Sequence, residues 1–206
     1  MPRGPSMKNT LAILGLPLLL AVLYLAFWPV PINPQQWTPP ENQGYTGTYA
    51  ANSRLADLEL LSIGDYHGPE DVVVAVEDGR EIVYTTSQDG VIIRVDTVAN
   101  SASVFAETGG VPLGMERDAD GNFIVADAYR GLLSVSPDGK TVTVLTDTVA
   151  GTPIAYADDL DIAADGVIYF SDASTKFGAE AAGSTLAASL LEISEHGKTG
   201  RVLSYD

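Results

Sequence analysis

Residues 113–137 read LGMERDADGNFIVADAYRGLLSVSP. A short apolar stretch leads to an Asp-Gly pair, then a continuous apolar run, a polar loop, and a glycine opening another apolar segment. Asp-Gly suits a hairpin turn, because glycine takes positive φ with no Cβ to clash. The same order occurs in VVVAVEDGREIVYTTSQDGVIIRVD (residues 72–96). It occurs again in DLDIAADGVIYFSDAS (159–174), which resumes after an interruption as GRVLSYD (200–206). The turn glycines Gly79, Gly121 and Gly166 recur after 42 and 45 residues. After their third strands, the first two repeats continue into SASVFAE (101–107) and TVTVLTD (141–147), each of which reads as a fourth strand.

Four antiparallel strands every 40–50 residues describe a β-propeller blade, and blades bury their faces only by packing in a ring. The predicted fold is all-β: a partial six-bladed β-propeller with about two and a half to three blades present, preceded by an N-terminal transmembrane helix. The chain stops at the third strand of its third blade, so we expect a fragment of a longer product; a half-propeller that dimerises is the alternative. LELLSIG (58–64) is expected to be an outer strand ahead of the first blade. The interruption at 176–200 predicts a helix with Ser184 as N-cap and Gly197 as stop, its Leu186, Leu190 and Ile193 on one face. We expect that helix to pack over one mouth of the ring; a lid is the alternative.

Four segments follow from the rest of the pattern: 1–10, a cytoplasmic n-region; 11–28, a signal anchor; 29–53, a Pro-rich linker; 54–206, the propeller part. Residues 11–28 carry no charge, a length near the minimum for a membrane span. They end in AFWPVP, a poor peptidase site, so an uncleaved anchor is preferred to a removed signal. Arg3 and Lys8 precede the run and no cation follows until Arg54, which places the N-terminus in the cytoplasm and the propeller in the periplasm or outside the cell. Residues 29–53 read as an extended tether.

All 27 acidic residues lie beyond residue 40 with nine basic residues, a net charge of −18 for that part. Such a field repels nucleic acid and anionic lipid and attracts cations. With no cysteine in the chain there is no disulfide, thiolate metal site or cysteine nucleophile. G-x-S-x-G, a Walker loop and H-E-x-x-H are missing too. DADGN (118–122) starts like an EF-hand loop but has Phe123 and Tyr129 where glycine and glutamate are needed, and so reads as a hairpin turn. Asp127 and Asp172 recur at one position of the repeat, with Thr86 in their place in the first. Such recurrence predicts a structural role, bonding backbone N–H groups of the loop after the second strand.

GPED (68–71), VPLGMERDADGNFIVADAYRGLLSV (111–135) and DDLDIAADGVIYFSDAST (158–175) resemble the strictosidine synthase-like proteins, within the larger family that includes SMP-30/gluconolactonase and the paraoxonases. The likeness is strongest to the adipocyte plasma membrane-associated protein type, which also carries an N-terminal anchor. The resemblance implies a six-bladed propeller with a metal ion, usually Ca²⁺, in the central channel. It implies Glu70 as one ligand and Asp158 as another, with Asp159 beside it; an aspartate at 158 departs from the family's usual asparagine. The remaining ligands come from later blades in that family. His67, three residues before Glu70, is the candidate base. The expected function is a membrane-anchored, calcium-dependent hydrolase of small-molecule esters or lactones. A non-catalytic binding or scaffold propeller is the alternative, and strictosidine synthase-type condensation the third reading.

Overall fold

The computed structural model describes residues 7–206, with side chains from residue 15 onward; the first six residues of the expected n-region, Arg3 among them, lie outside the described residues. The chain divides into two units, Met1–Asn33 and Pro34–Asp206. In the first, helix α1 (Met7–Phe27) covers most of the uncharged run and continues through Pro17. Among the described residues no helix is long and apolar enough to cross a membrane.

The second unit is built from the repeats. Strands β1 (Pro69–Glu77), β2 (Arg80–Ser87), β3 (Val91–Asp96) and β4 (Ser101–Glu107) form one antiparallel sheet in sequence order. Strands β5 (Pro112–Arg117), β6 (Phe123–Asp127), β7 (Gly131–Val135) and β8 (Val142–Thr146) form the next. A small hairpin, β9 (Thr148–Val149) and β10 (Thr152–Pro153), precedes the third sheet of β11 (Ala157–Ile162), β12 (Ile168–Asp172) and β13 (Arg201–Tyr205), with helix α2 (Thr185–Glu195) inserted before β13. No sheet closes on itself among the described residues. The first strands of the three sheets lie side by side, β5 between β1 and β11.

The turns follow the glycines. Asp78 and Gly79 both take positive φ, 48° and 75°, and pair Glu77 directly with Arg80 in a two-residue hairpin. The second and third turns are longer. Gly121 N–H donates to Asp118 O, and Gly166 N–H donates to Ala163 O in the matching turn. Asp118 Oδ1 also accepts from the N–H groups of Asp120 and Asn122, so DADGN is indeed a hairpin turn.

Packing explains the strand patterns. β6 is buried at all five positions because the middle sheet is covered on both faces. Toward the first sheet, Tyr84, Phe105 and Phe123 meet with ring centroids 4.7–5.1 Å apart, among Ile82, Ile92, Met115 and Val125. Toward the third sheet, Ile124, Ala126 and Leu132 pack with Leu160, Ile168 and Phe170. Strand β1 and the third sheet alternate instead: Val72, Val74 and Val76 of β1 are exposed, as are Tyr169 and Val202 of the third sheet.

Two expectations are corrected. Residues 58–64 form no strand; Leu61 and Ile63 pack on Val91, Ile93 and Val95 at the back of the first sheet, while Leu58 and Leu60 stay exposed. α2 begins as predicted, with Ser184 Oγ accepting from Ala187 N–H, and ends at His196 in the left-handed conformation, one residue before Gly197. Its apolar stripe does not pack: Leu186, Leu190 and Ile193 are 67%, 54% and 65% exposed. The reason is that the opposite, polar face holds the helix down. Ser189 Oγ meets the Tyr156 hydroxyl, Glu192 accepts from Ser174 Oγ at 2.8 Å and Thr199 Oγ1 at 2.9 Å, and buried Glu195 pairs with Lys176.

Candidate functional site

Each sheet's first strand carries a register shift at its head: between Pro69 and Val72 in β1, Pro112 and Met115 in β5, Ala157 and Leu160 in β11. A bulge places two residues opposite one and re-aims their side chains. The bulged pairs are Glu70–Asp71, Leu113–Gly114 and Asp158–Asp159, so the three positions are equivalent by structure as well as by repeat. With these strands adjacent, two acidic pairs flank a glycine.

The approach at that glycine is close. A Cβ on Gly114 would stand 2.7 Å from Asp159 Cα, 2.8 Å from Asp159 Oδ1 and 3.0 Å from the Asp158 carbonyl. Only hydrogen fits there, and its absence of a side chain lets β11 reach β5. Asp71 locks the other flank: its Oδ2 accepts from Met115 N–H at 2.7 Å and its Oδ1 from Val72 N–H at 2.7 Å. Asp159 repeats half of this, its Oδ1 accepting from Leu160 N–H at 2.9 Å. The backbone N–H of each is received by a hydroxyl on the second strand, Thr86 Oγ1 for Asp71 and Ser171 Oγ for Asp159.

Glu70 and Asp158 differ from these two, since their carboxylates accept no hydrogen bond among the described residues. Glu70 is exposed as a residue at the head of β1, with its carboxyl partly desolvated. Its pKa is raised, first by burial and then by repulsion from Asp158, Asp71 and Asp159. Asp158 is half-buried and also raised, by burial and then by Asp159. Glu70, Asp158 and Asp159 are therefore within electrostatic reach of one another. Asp71, which sequence reading passed over, belongs with them; the signal was an acidic doublet repeated at the same point of two repeats. Among the described residues no group of three or more His, Asp or Glu side chains is arranged to hold a metal ion.

His67 lies on the loop before β1 with its side chain 76% exposed. Its N–H donates to Asp89 Oδ2 at 2.6 Å, and Nδ1 is 3.2 Å from the same oxygen. The His67 N–H is the first cause that holds the Asp89 carboxyl below its ordinary value. The His67 ring thus meets Asp89, and its backbone carbonyl accepts from Ser87 Oγ at 2.7 Å.

Both recurrent aspartates are structural, but only Asp127 bonds the loop expected. Asp127 Oδ1 accepts from Tyr129 and Arg130 N–H in the loop after β6, and from Val111 N–H before β5. Asp172 bonds the segment before β11 alone, through Ala155 and Tyr156 N–H, and pairs with Arg201 at 2.9 Å. The register corrects the first repeat: Ser87, not Thr86, stands where Asp127 and Asp172 do, its Oγ accepting from Asp89 N–H at 3.2 Å, while Thr86 Oγ1 donates to Leu113 O at 2.7 Å and ties the first sheet to the second.

Tyr156, for which sequence held no signal, joins the site to α2. Its hydroxyl donates to Thr185 O at 3.3 Å and lies 3.1 Å from Ser189 Oγ. Burial raises its pKa, with Asp158 and Glu70 adding to the shift. A half-open cavity of about 160 Å³ lies beside α2, lined by Tyr156, Ser174, Ala188 and Glu192 and bordered by exposed Ile193.

Residues 47–95 match the family described as strictosidine synthase-like, N-terminal. The chain is similar to Protein strictosidine synthase-like 7 of Arabidopsis thaliana, 36% identical over 156 residues that cover 74% of this chain and 40% of that protein. It is also similar to the adipocyte plasma membrane-associated protein of Rattus norvegicus, 30% identical over 208 residues that cover 94% of this chain and 52% of that protein. The chain therefore spans about half the length, or less, of these relatives. Among solved structures, a gluconolactonase from Xanthomonas campestris aligns with a TM-score of 0.46 and 20% identity, covering 63% of this chain and 44% of that one.

Proposed function

Given that the chain belongs with the strictosidine synthase-like proteins, we propose that it forms the N-terminal half of a six-bladed propeller in a membrane-anchored, calcium-dependent hydrolase of esters or lactones. One observation carries the site. Glu70 and Asp158, 88 residues apart in sequence, stand at equivalent bulges of two sheets, and the Glu70 pKa is raised by burial first and by Asp158 next. Like charges brought together without hydrogen-bond donors are relieved by a cation.

The donors fit Ca²⁺ in kind, being carboxylate oxygens. They do not make a full shell, since the middle sheet offers Leu113 and Gly114 at the equivalent bulge. Glu70 and Asp158 would hold the ion, and Asp71 and Asp159 set the bulges that present them. A bound Ca²⁺ supplies charge that polarises a carbonyl and stabilises an oxyanion. His67 is the base in this reading: Asp89 orients the ring through Nδ1, which leaves Nε2 to accept a proton from water. Anchoring rests on the uncharged run at residues 11–28 and on the membrane association that the rat relative's name records. The cytoplasmic N-terminus rests on Arg3 and Lys8.

Calorimetric titration of the full chain with Ca²⁺ tests the site. Glu70→Gln and Asp158→Asn are each expected to weaken binding by about tenfold or more. Unchanged affinity in both variants, or no binding at all, defeats the assignment. Phenyl acetate and δ-valerolactone then test turnover by the whole protein. The incomplete ligand set favours one second reading, a binding propeller without chemistry, which Ca²⁺ binding without turnover would establish.

A further inference from the structure

α2 is docked with little apolar burial. Its buried residues are Ala188 and Glu195. A helix of 11 residues is marginal in water by itself, so α2 depends on the contacts that hold it to the third sheet. Those are polar: Ser189 with Tyr156, Glu192 with Ser174 and Thr199, Glu195 with Lys176. An element with few buried apolar contacts opens locally at lower cost than the core does.

Two more contacts come from the segment expected to be a free tether, within the same unit of the chain. Gln35 N–H donates to Glu195 O at 2.7 Å, which satisfies one of the carbonyls that a helix leaves open at its C-terminal end. The Trp37 ring stacks on His196 with centroids 5.3 Å apart and an interplanar angle of 20°. His196 takes the left-handed conformation, φ 53° and ψ 39°, although Gly197 follows directly and would adopt it with no Cβ penalty. A non-glycine residue is strained there. Ending the helix one residue early puts an imidazole, and not a bare glycine, where Trp37 meets it. The hold is made at points: a groove of about 550 Å³ remains between residues 35–38 and 195–199, and Trp37 stays 57% exposed.

We propose that residues 35–37 are a strap that latches α2 onto the third sheet, and that its release lets α2 undock as a unit and widens the cavity beside Tyr156. Gln35 and Trp37 both act on the last turn of the helix, where fraying begins. With the strap gone, side-chain hydrogen bonds and one ion pair are left to hold an element that buries no large apolar residue. The cavity is lined by Tyr156, Ser174 and Ala188, so the segment ahead of the first sheet would govern access to it. This device goes beyond the hydrolase reading and needs neither Ca²⁺ nor substrate to operate.

The chain has no cysteine, so a single thiol reports one place. Ala188→Cys puts that thiol on the buried side of α2, 0% exposed, beside a cavity with room for it. Its labelling by a maleimide in the full chain measures how often α2 undocks. Adding Trp37→Ala is expected to speed labelling about tenfold, since the rate follows the open population. His196→Gly should speed it too, although glycine suits the left-handed position better. Tyr49→Ala, at a ring 77% exposed in the same segment, should leave the rate unchanged. Hydrogen exchange of β6 reads general loosening and should not move. Unchanged labelling with Trp37→Ala overturns the proposal. Slower labelling with His196→Gly also overturns it, by showing that relief of strain at the helix end outweighs the ring stack. A gain matched by faster exchange in β6 overturns it as well, since the loss would then belong to the whole domain.

Discussion

Asp127 and Asp172 occupy one position of the repeat, and both are fully buried at 0% exposure. Their second oxygens differ. Asp172 Oδ2 accepts from Arg201 Nε and lies 2.9 Å from Arg201 Nη2, whereas Asp127 Oδ2 has no partner among the described residues. Asparagine at 172 keeps an acceptor for Tyr156 N–H but turns an amide NH₂ toward the guanidinium, donor against donor. Breaking a buried pair from one side costs about 3–5 kcal/mol. The Arg201 side chain is 25% exposed and regains some hydration, which sets the expectation for Asp172→Asn near the low end, about 3 kcal/mol. Asparagine at 127 keeps the Oδ1 acceptor for Val111, Tyr129 and Arg130. It trades one unpartnered polar atom for another, so the expected cost of Asp127→Asn is about 0–1 kcal/mol. Urea unfolding followed by circular dichroism at neutral pH reads both, provided the m-value holds constant. A double-mutant cycle with Arg201→Met isolates the pair. Equal losses at 127 and 172, or additive losses for Asp172→Asn with Arg201→Met, would refute the reasoning.

Glu70 and Asp158 hold their protons more tightly folded than unfolded, with ordinary values of 4.5 and 3.8 as reference. The stability they contribute is full below that range and is lost as pH rises through the raised values. Without divalent cations, Glu70→Gln and Asp158→Asn should therefore raise the urea midpoint at neutral pH and leave it unchanged at about pH 3; a lowered midpoint at neutral pH contradicts the crowding. Gly114→Ala should cost about 1–3 kcal/mol, because the new methyl meets the backbone of β11; thermal unfolding with no loss would mean that β5 and β11 do not approach so closely. Replacing Val72, Val74 and Val76 with threonine should change stability by under about 0.5 kcal/mol each, since all three are exposed and threonine keeps strand propensity. The same triple variant should reduce self-association in sedimentation velocity, and unchanged association would absolve that face.

Some features were legible because their causes are local. Gly79, Gly121 and Gly166 answer to φ at a single residue, and Ser184 to an N–H three positions away. The apolar run of FIVAD suits a strand buried on both faces, but VVVAV in β1 is as apolar and alternates only in its burial, so the string did not tell the two apart. Asp127 and Asp172 showed themselves through repetition. The Glu70, Asp158 and Asp159 positions came from likeness to a family. The bulges that make them equivalent left no mark in the string, because a bulge is defined by what lies opposite.

What the amino-acid order determined by itself, then, is the repeat: strands, turns, their spacing, and the start of α2. Tertiary structure decided the rest. Asp71 reaches Met115 across 44 residues, and Gly114 admits Asp159 across 45. α2 showed an apolar stripe that predicted burial. Its orientation was settled instead by Tyr156, Ser174 and Lys176, which bond its polar side and leave the leucines outside. The tether likewise ceased to be free once Trp37 met His196. Local periodicity says which residues share a face. Only the partners brought together by folding say which face the rest of the protein will hold.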